Sequence, residues 1–269
     1  MTRLVSIVTI SFNHVEFIEQ CILSVLNQDY HNIEYIIVDP GSTDGSREII
    51  NKYQHKISKI IFDPDDGPAD GLNKGFNLAT GDIFYFLNSD DVLEPNVIKK
   101  IVKYFYINPE VDVVSGHSWI IDSCGNRLRR FYSDRFSLKM AACEASIISQ
   151  ASTFFRAENF RNVNGFNSLN RIAWDGELFV DMALDGARFS IINDFLSGFR
   201  VHKKAITGSG AYSPERILFS KRIYNKIYGT DPDVTSIVLC RIKVYLRKIL
   251  NYRDTFQRIL HGPVFGAKK

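Results

Sequence analysis

The hydrophobic positions of the first ninety residues fall into short continuous blocks separated by stretches with helical spacing. Residues 4–10 (LVSIVTI) are apolar and rich in β-branched side chains, the pattern of a strand buried on both faces. Residues 33–38 (IEYIIV), 57–62 and 82–87 (DIFYFL) repeat that pattern. Between them, residues 16–27, 43–53 and 69–79 carry apolar side chains at helical intervals, with Asp44 or Ser42 suited to cap the second helix and Gly81 to stop the third. Strands alternating with helices predict βαβ units, a mostly parallel sheet and an α/β fold.

Beyond residue 91 the pattern is more mixed. The spacing predicts a helix over 95–106, then strands over 111–121 and 127–132 joined by a hairpin turn at Gly125-Asn126. A strand at 150–156, a helix at 175–184 closed by Gly186, and two short strands at 188–192 and 196–201 follow. From Pro214 to Leu260 the chain is helical in character. The simplest division is an α/β domain over 1–210, with halves at 1–91 and 92–210, and a helical C-terminal extension over 211–269.

Composition and charge alter this picture at a few points. The 269 residues are 45% hydrophobic and 23% charged, ordinary globular usage that excludes a disordered or fibrous chain. No apolar run reaches the roughly 20 residues of a membrane-spanning helix. Cys21, Cys124, Cys143 and Cys240 are scattered without metal-type spacing, so no disulfide framework is expected and the setting reads as reducing and cytoplasmic.

The net charge of +3 conceals a division. Residues 201–269 hold 14 Lys/Arg against 4 Asp/Glu, a balance of +10, and the first 200 hold 19 against 26, a balance of −7. Within 234–250 most apolar side chains share one helical arc, while Arg241, Lys243, Arg247 and Lys248 face the other side. Such a basic amphipathic helix suits an anionic membrane surface, as in a protein peripheral to the inner face of the cell membrane; it equally suits the body of the same chain or a partner subunit in a homo-oligomer. No recognition motif for nucleic acid accompanies the charge, so no nucleic acid partner is expected.

In parallel α/β sheets, ligands gather at the carboxyl ends of the strands. Asp39 follows the second predicted strand, Asp63, Asp65 and Asp66 the third, and Asp90-Asp91 the fourth. Clustered carboxylates repel one another unless a cation or hydrogen-bond donors offset them. Mg²⁺ typically uses one or two carboxylates together with substrate phosphates, so a metal-bound diphosphate is a coherent occupant.

Four segments carry a resemblance. Val5-Ser6-Ile7-Val8-Thr9-Ile10-Ser11-Phe12-Asn13, Val38-Asp39-Pro40-Gly41-Ser42-Thr43-Asp44-Gly45-Ser46, Asp70-Gly71-Leu72-Asn73-Lys74-Gly75-Phe76 and Leu87-Asn88-Ser89-Asp90-Asp91, in this order, resemble family 2 glycosyltransferases of the bacterial polysaccharide or glycolipid type. The likeness spans roughly residues 4–202. It implies a GT-A fold, a nucleoside diphosphate sugar donor (UDP first, dTDP next), Mn²⁺ or Mg²⁺, inversion at the anomeric carbon, and a saccharide or lipid-linked acceptor.

By position, the resemblance places Thr9 and Ser11 against the nucleotide, Asp39 on the base, Asp66 near base or ribose, and Lys74 toward the donor phosphates. Asn88 stands where many relatives have the first acid of an Asp-x-Asp motif, which leaves Asp90 as the direct metal ligand, Asp91 as a second ligand or sugar contact, and Asn88-Ser89 beside the donor. The family's general base, after a Gly-Phe segment and at the start of a helix, corresponds to Asp175, with Glu177 as fallback and Trp174 beside it; Asp175 also suits an N-cap. Phe199-Arg200-Val201-His202 resembles an Arg-x-His segment in which His202 meets metal or diphosphate and Arg200 balances donor charge. Gly208-Ser209-Gly210 after it would close over the donor. The rival function is a non-catalytic sugar-nucleotide-binding or assembly module that retains the fold.

Overall fold

The computed structural model describes residues 3–202 and 214–262. Its first half follows the alternation in the sequence: β1 (Val5–Ile10), α1 (Ile18–Leu26), β2 (Ile33–Val38), α2 (Ser46–Lys52), β3 (Lys59–Ile61), α3 (Pro68–Asn77) and β4 (Ile83–Asn88). Then come β5 (Val92–Leu93), α4 (Val97–Ile107), β6 (Val113–Ile121), β7 (Arg127–Phe131), α5 (Leu138–Ala141), β8 (Thr153–Arg156), α6 (Ala157–Asn162), α7 (Trp174–Leu184) and β9 (Phe189–Arg200). The extension forms α8 (Pro214–Tyr228), α9 (Val234–Leu250) and α10 (Tyr252–His261).

The strands build one sheet in the order β3-β2-β1-β4-β8-β6-β9-β5, with β7 paired to β6. The β3-β2-β1-β4 half is wholly parallel, and antiparallel pairs enter with β8. Because side chains alternate along a strand, each central strand feeds two cores. Val5, Ile7, Tyr35, Ile37, Ile83, Tyr85 and Leu87 pack under α1 and α4, while Val8, Ile36, Val38, Phe84 and Phe86 pack under α3, α6 and α7. Blocks without polar alternation are what a sheet covered on both faces requires.

Several elements differ from the expectation. The region 188–201 is one strand rather than two, because β9 bends through register shifts around His117 and keeps pairing with β6. Residues 150–152 form a 3₁₀ turn ahead of the short β8. The N-cap position of α2 is Gly45, at φ 103°, and not Asp44 or Ser42; Asp44, one residue further out, accepts from the Ser46 amide that opens the helix and from the Val15 amide.

Two expectations about the C-terminal region are corrected. Cys143, just after α5, and Cys240, in α9, form a disulfide with Cα atoms 4.8 Å apart, whereas Cys21 and Cys124 remain free. Residues 97 apart in sequence meet because α9 folds back over α5, which spacing alone does not reveal. Lys243 and Arg247 face the protein and not the solvent: Lys243 Nζ donates to the Lys139 carbonyl at 2.9 Å, and Arg247 Nε to Asp134 Oδ2 at 2.5 Å. Among the described residues no helix is long and apolar enough to cross a membrane.

The approach of α3 to the sheet depends on Gly75. A Cβ there would lie 2.5 Å from Val8 Cγ1 and 3.2 Å from Val38 Cγ2, both on buried central strands that cannot retreat. Gly75→Ala gains about 1 kcal/mol of helix propensity but overpacks the core at a cost of roughly 1–3 kcal/mol. The expected result is a less stable protein, read as a lower urea midpoint with an unchanged slope.

Candidate active site

Parallel pairing of β1 with β4, with Ile10 opposite Asn88, ends both strands at one edge and lays the segments that follow side by side. The Ser89 amide donates to the Ile10 carbonyl at 3.0 Å, and the Ser11 amide to Val38 at 2.9 Å. Asn13 takes a left-handed turn at φ 54°, a conformation Asn tolerates, and its side-chain oxygen accepts from the Thr43 amide at 2.9 Å. The next residue, His14, is thereby brought over β4, with Nδ1 2.7 Å from Ser89 Oγ.

His202 reaches the same place from the other end of the domain. β5 follows Asp91 directly and pairs antiparallel with β9, Val92 opposite Gly198, so the exit of β9 returns to the carboxyl end of β4. Asp91 Oδ1 accepts from the Arg200 amide at 2.9 Å, and His202 Nε2 lies 3.0 Å from Asp90 Oδ2. The ligand atoms of His14, Asp90 and His202 all lie within 4.8 Å of one another. Among the described residues this is the only group of three His, Cys, Asp or Glu side chains so closely placed.

Arg200 holds this junction together. It is 1% exposed, and its guanidinium donates to the carbonyls of Asp90, Asp122 and Ser123 and to Gln20 Oε1, at 2.6–3.0 Å. Phe17 lies against both Arg200, 5.0 Å from ring centroid to guanidinium carbon, and the His202 ring, 4.7 Å between centroids. With its donors taken up by protein oxygens, Arg200 positions Asp90 and His202.

Asn88 has an orientation dictated by its neighbours. Gln150 Nε2 donates to the Phe86 carbonyl at 3.0 Å, which turns Gln150 Oε1 toward Asn88 Nδ2 at 3.3 Å. The Asn88 carbonyl oxygen is left buried with no partner, as are Ser11 Oγ and Asp91 Oδ2. Buried polar atoms are almost always satisfied, so three orphaned oxygens at adjoining strand ends mark a place that a polar ligand or cation completes. Burial, then the Asp90 charge, holds the Asp91 carboxyl well above the usual range. One carboxylate, two imidazoles and an orphaned carbonyl form a donor set that fits a divalent cation.

The other expected residues are spread around this edge. Ser89 is fully buried beneath His14, whereas Thr9 faces the α1 core, its hydroxyl 3.1 Å from Tyr35 Oη. Asp39 is fully buried; Oδ1 accepts from the Gly41 and Ser42 amides and Arg47 Nε, and Oδ2 from the Ser42 hydroxyl. Asp66 is exposed on the loop before α3, and Lys74 is turned to Asp70 at 2.9 Å and the Pro64 carbonyl at 2.6 Å. Glu177 is buried and accepts from Asn167, Asn170, Arg222 and Lys226.

Asp175 sits in the first turn of α7, half-buried, and desolvation raises its carboxyl above the ordinary value even though the Gly176 amide counters the shift. Its neighbour Trp174 packs 5.4 Å from Phe86 and 5.5 Å from Phe166, which sets the start of α7 near the carboxyl end of β4. The Gly208-Ser209-Gly210 stretch lies outside the described residues.

The profile described as glycosyl transferase family 2 matches residues 6–179, a span that contains β1 through the start of α7. The chain belongs to glycosyl transferase family 2. It is 28% identical over 293 residues to the uncharacterized glycosyltransferase alr2836 of Nostoc sp., covering 98% of this chain and 91% of that protein. The structure of S. aureus TarS 1–349 in complex with UDP-GlcNAc superposes with a TM-score of 0.66 at 18% identity, over 95% of this chain and 74% of that one. The mannosyltransferase PcManGT from Pyrobaculum calidifontis, in complex with GDP-Man and Mn²⁺, gives 0.60 at 17%, over 96% and 81%. The fold of this family 2 protein is GT-A.

Sequence reasoning passed over three residues of this family 2 site. His14 falls between the first expected strand and helix, and only its place beside the strand end facing Asp90 could have flagged it. Gln150 was absorbed into a strand, and Arg47, which binds Asp39 and stacks 4.5 Å over Phe62, falls in the helix expected over 43–53 without a role.

Arg200→Met removes every guanidinium bond while keeping much of the bulk. Unsatisfied buried carbonyls should then lower stability by about 2–4 kcal/mol. Urea unfolding reads the loss, and an unchanged midpoint would show that Arg200 does not tie β9 to β4.

Proposed function

We propose that this chain is an inverting, metal-dependent glycosyltransferase that moves a hexosyl or N-acetylhexosaminyl unit from a UDP-sugar to a hydroxyl of a saccharide or lipid-linked acceptor in surface polysaccharide assembly. The observation that carries the reading is the convergence of His14, Asp90 and His202, with the orphaned Asn88 oxygen, at the carboxyl edge of β1 and β4 in a GT-A fold. TarS, bound to UDP-GlcNAc, and PcManGT, bound to GDP-Man and Mn²⁺, support the donor class and the metal.

His14, Asp90 and His202 would hold the cation. Two imidazoles among the donors favour Mn²⁺ over Mg²⁺, whose preferred ligands are oxygens. When bound, the cation supplies positive charge that offsets the negative charge of the departing diphosphate.

The other roles belong to side chains of the chain. Asp39, at the end of β2, has fewer donors on Oδ2 than on Oδ1, and that oxygen is the one to accept from a base imide N–H. Arg47 holds the Asp39 carboxylate in place, with Nε on Oδ1 at 2.9 Å and Nη2 on the Asp39 carbonyl at 2.7 Å. Asp175 acts as general base. As the acceptor oxygen bonds to the anomeric carbon and the bond from that carbon to the diphosphate oxygen breaks, the hydroxyl proton passes to the Asp175 carboxylate and UDP leaves with the bonding electrons. Glu177, saturated by two amides and two cations, is unsuited to that task.

A base works only when ionised, so the rate should fall as pH drops through the Asp175 pKa. Burial has raised that pKa above its ordinary 3.8, and the acidic limb of kcat should therefore lie above the usual aspartate range. Asp175→Asn should reduce kcat by roughly 10²–10⁴-fold while UDP-sugar still raises the melting temperature by mass action. Unchanged turnover in that variant would remove Asp175 from the mechanism. Absence of transfer by the wild type with every UDP-sugar and metal, with donor binding intact, would favour a non-catalytic binding module.

A further inference from the structure

An amphipathic helix on a globular body ordinarily buries its apolar stripe and exposes its charges. In the C-terminal extension α8 does so with Phe219 and Ile223, but α9 and α10 do the reverse. The line of α9 that faces the body consists of Cys240, bonded to Cys143, followed by Lys243 and Arg247. Arg247 pairs with Asp134 at 2.5 Å and approaches Asp254 of α10 at 3.6 Å. Asp254 is 1% exposed and also receives Arg258 at 2.7 Å and Arg129 at 3.6 Å. Both helices therefore turn their polar faces inward to one buried ion-pair network.

The opposite face of α9 carries Val234, Val238, Ile242, Tyr245 and Ile249, spaced by four, four, three and four residues, all exposed. Tyr245 and Ile249 are 64% and 60% exposed, and on α10 Ile259 is 76% exposed with Phe256 beside it in exposure at 57%. Arg241 and Lys248, both exposed, flank the α9 stripe. An uncovered apolar stripe along a helix of 17 residues is far more than scattered surface hydrophobics.

We propose that this face docks on an anionic phospholipid bilayer. The apolar stripe enters the boundary between headgroups and acyl chains, Tyr245 sits at that level, and Arg241 and Lys248 reach the phosphates. Charge complementarity selects this occupant over a second copy of the chain. A two-fold contact through the same stripe would bring together two extensions that each carry a balance of +8 (12 Lys/Arg against 4 Asp/Glu over 211–269), whereas anionic lipid neutralises that charge. α9 is too short and too charged to cross a membrane, so it lies in the plane of the interface. The inward ion pairs spend the extension's polar groups on the body and leave the apolar groups for lipid. The inference rests on the extension alone and stands apart from the transferase reading.

The test is co-sedimentation of the full chain with sucrose-loaded vesicles, either phosphatidylcholine alone or phosphatidylcholine with phosphatidylglycerol in equal parts. The wild type should bind the anionic vesicles at least tenfold more tightly than the neutral ones, and less tightly as salt rises. I242E/I249E, at exposed positions and with an unchanged melting temperature, should lose at least tenfold of that binding. R241Q/K248Q should weaken binding to the anionic vesicles while leaving the residual affinity for neutral ones. Equal binding by wild type and I242E/I249E overturns the proposal. So does a wild type that ignores both vesicles, and in that case a dimer in solution that I242E/I249E dissociates would assign the face to a second copy.

Discussion

Two parallel strands that are neighbours in a sheet end at the same edge, and in this chain β1 and β4 do so with Ile10 opposite Asn88. The loops that follow inherit that proximity: His14 descends onto Ser89, and Asp90-Asp91 lie next to the turn at Asn13. Everything assembled later depends on this edge. β5 lifts off directly after Asp91, captures β9, and so delivers His202 across more than a hundred residues to Asp90. Arg200 then locks the return by binding carbonyls from two loops. A charged side chain in so dry a place is tolerated because its hydrogen bonds are met by oxygens that would otherwise lack donors.

The parallel half of the sheet was legible because its strands are buried on both faces, which leaves unbroken apolar blocks such as 35–38 and 83–87 that few other structures explain. Elements that complete barely one period of the pattern were not: β5 is two residues, and α5 has four. The bend of β9 at Asn193-Asp194 mimics a loop between two strands, although pairing to β6 continues on both sides. In the candidate site, the motif chemistry pointed to Asp90 and His202. It missed His14, because a histidine four residues past a strand carries no periodic signal and becomes informative only when the opposing strand is known. Thr9 shows the converse: a motif position on a strand has a parity, and Thr9 falls on the side of the α1 core.

The extension shows a limit of a different kind. Periodicity groups the residues of α9 that share an arc but says nothing of which arc meets the body. Here Asp134, Asp254 and the Lys139 carbonyl draw Lys243 and Arg247 inward, and the Cys143–Cys240 bond sets the helix in that rotation. The acidic body and basic tail apparent in the charge count are thus partly matched to each other, with Arg241 and Lys248 left at the rim of an apolar surface.

The central claim is that the edge of β1 and β4 is a cation-dependent donor site built from His14, Asp90 and His202. Anomalous diffraction at the manganese edge from crystals grown with Mn²⁺ tests it most directly. The account predicts one dominant peak among His14, Asp90 and His202, which vanishes in crystals of Asp90→Ala. A dominant peak elsewhere on the molecule, or one at this edge that survives Asp90→Ala, would contradict it.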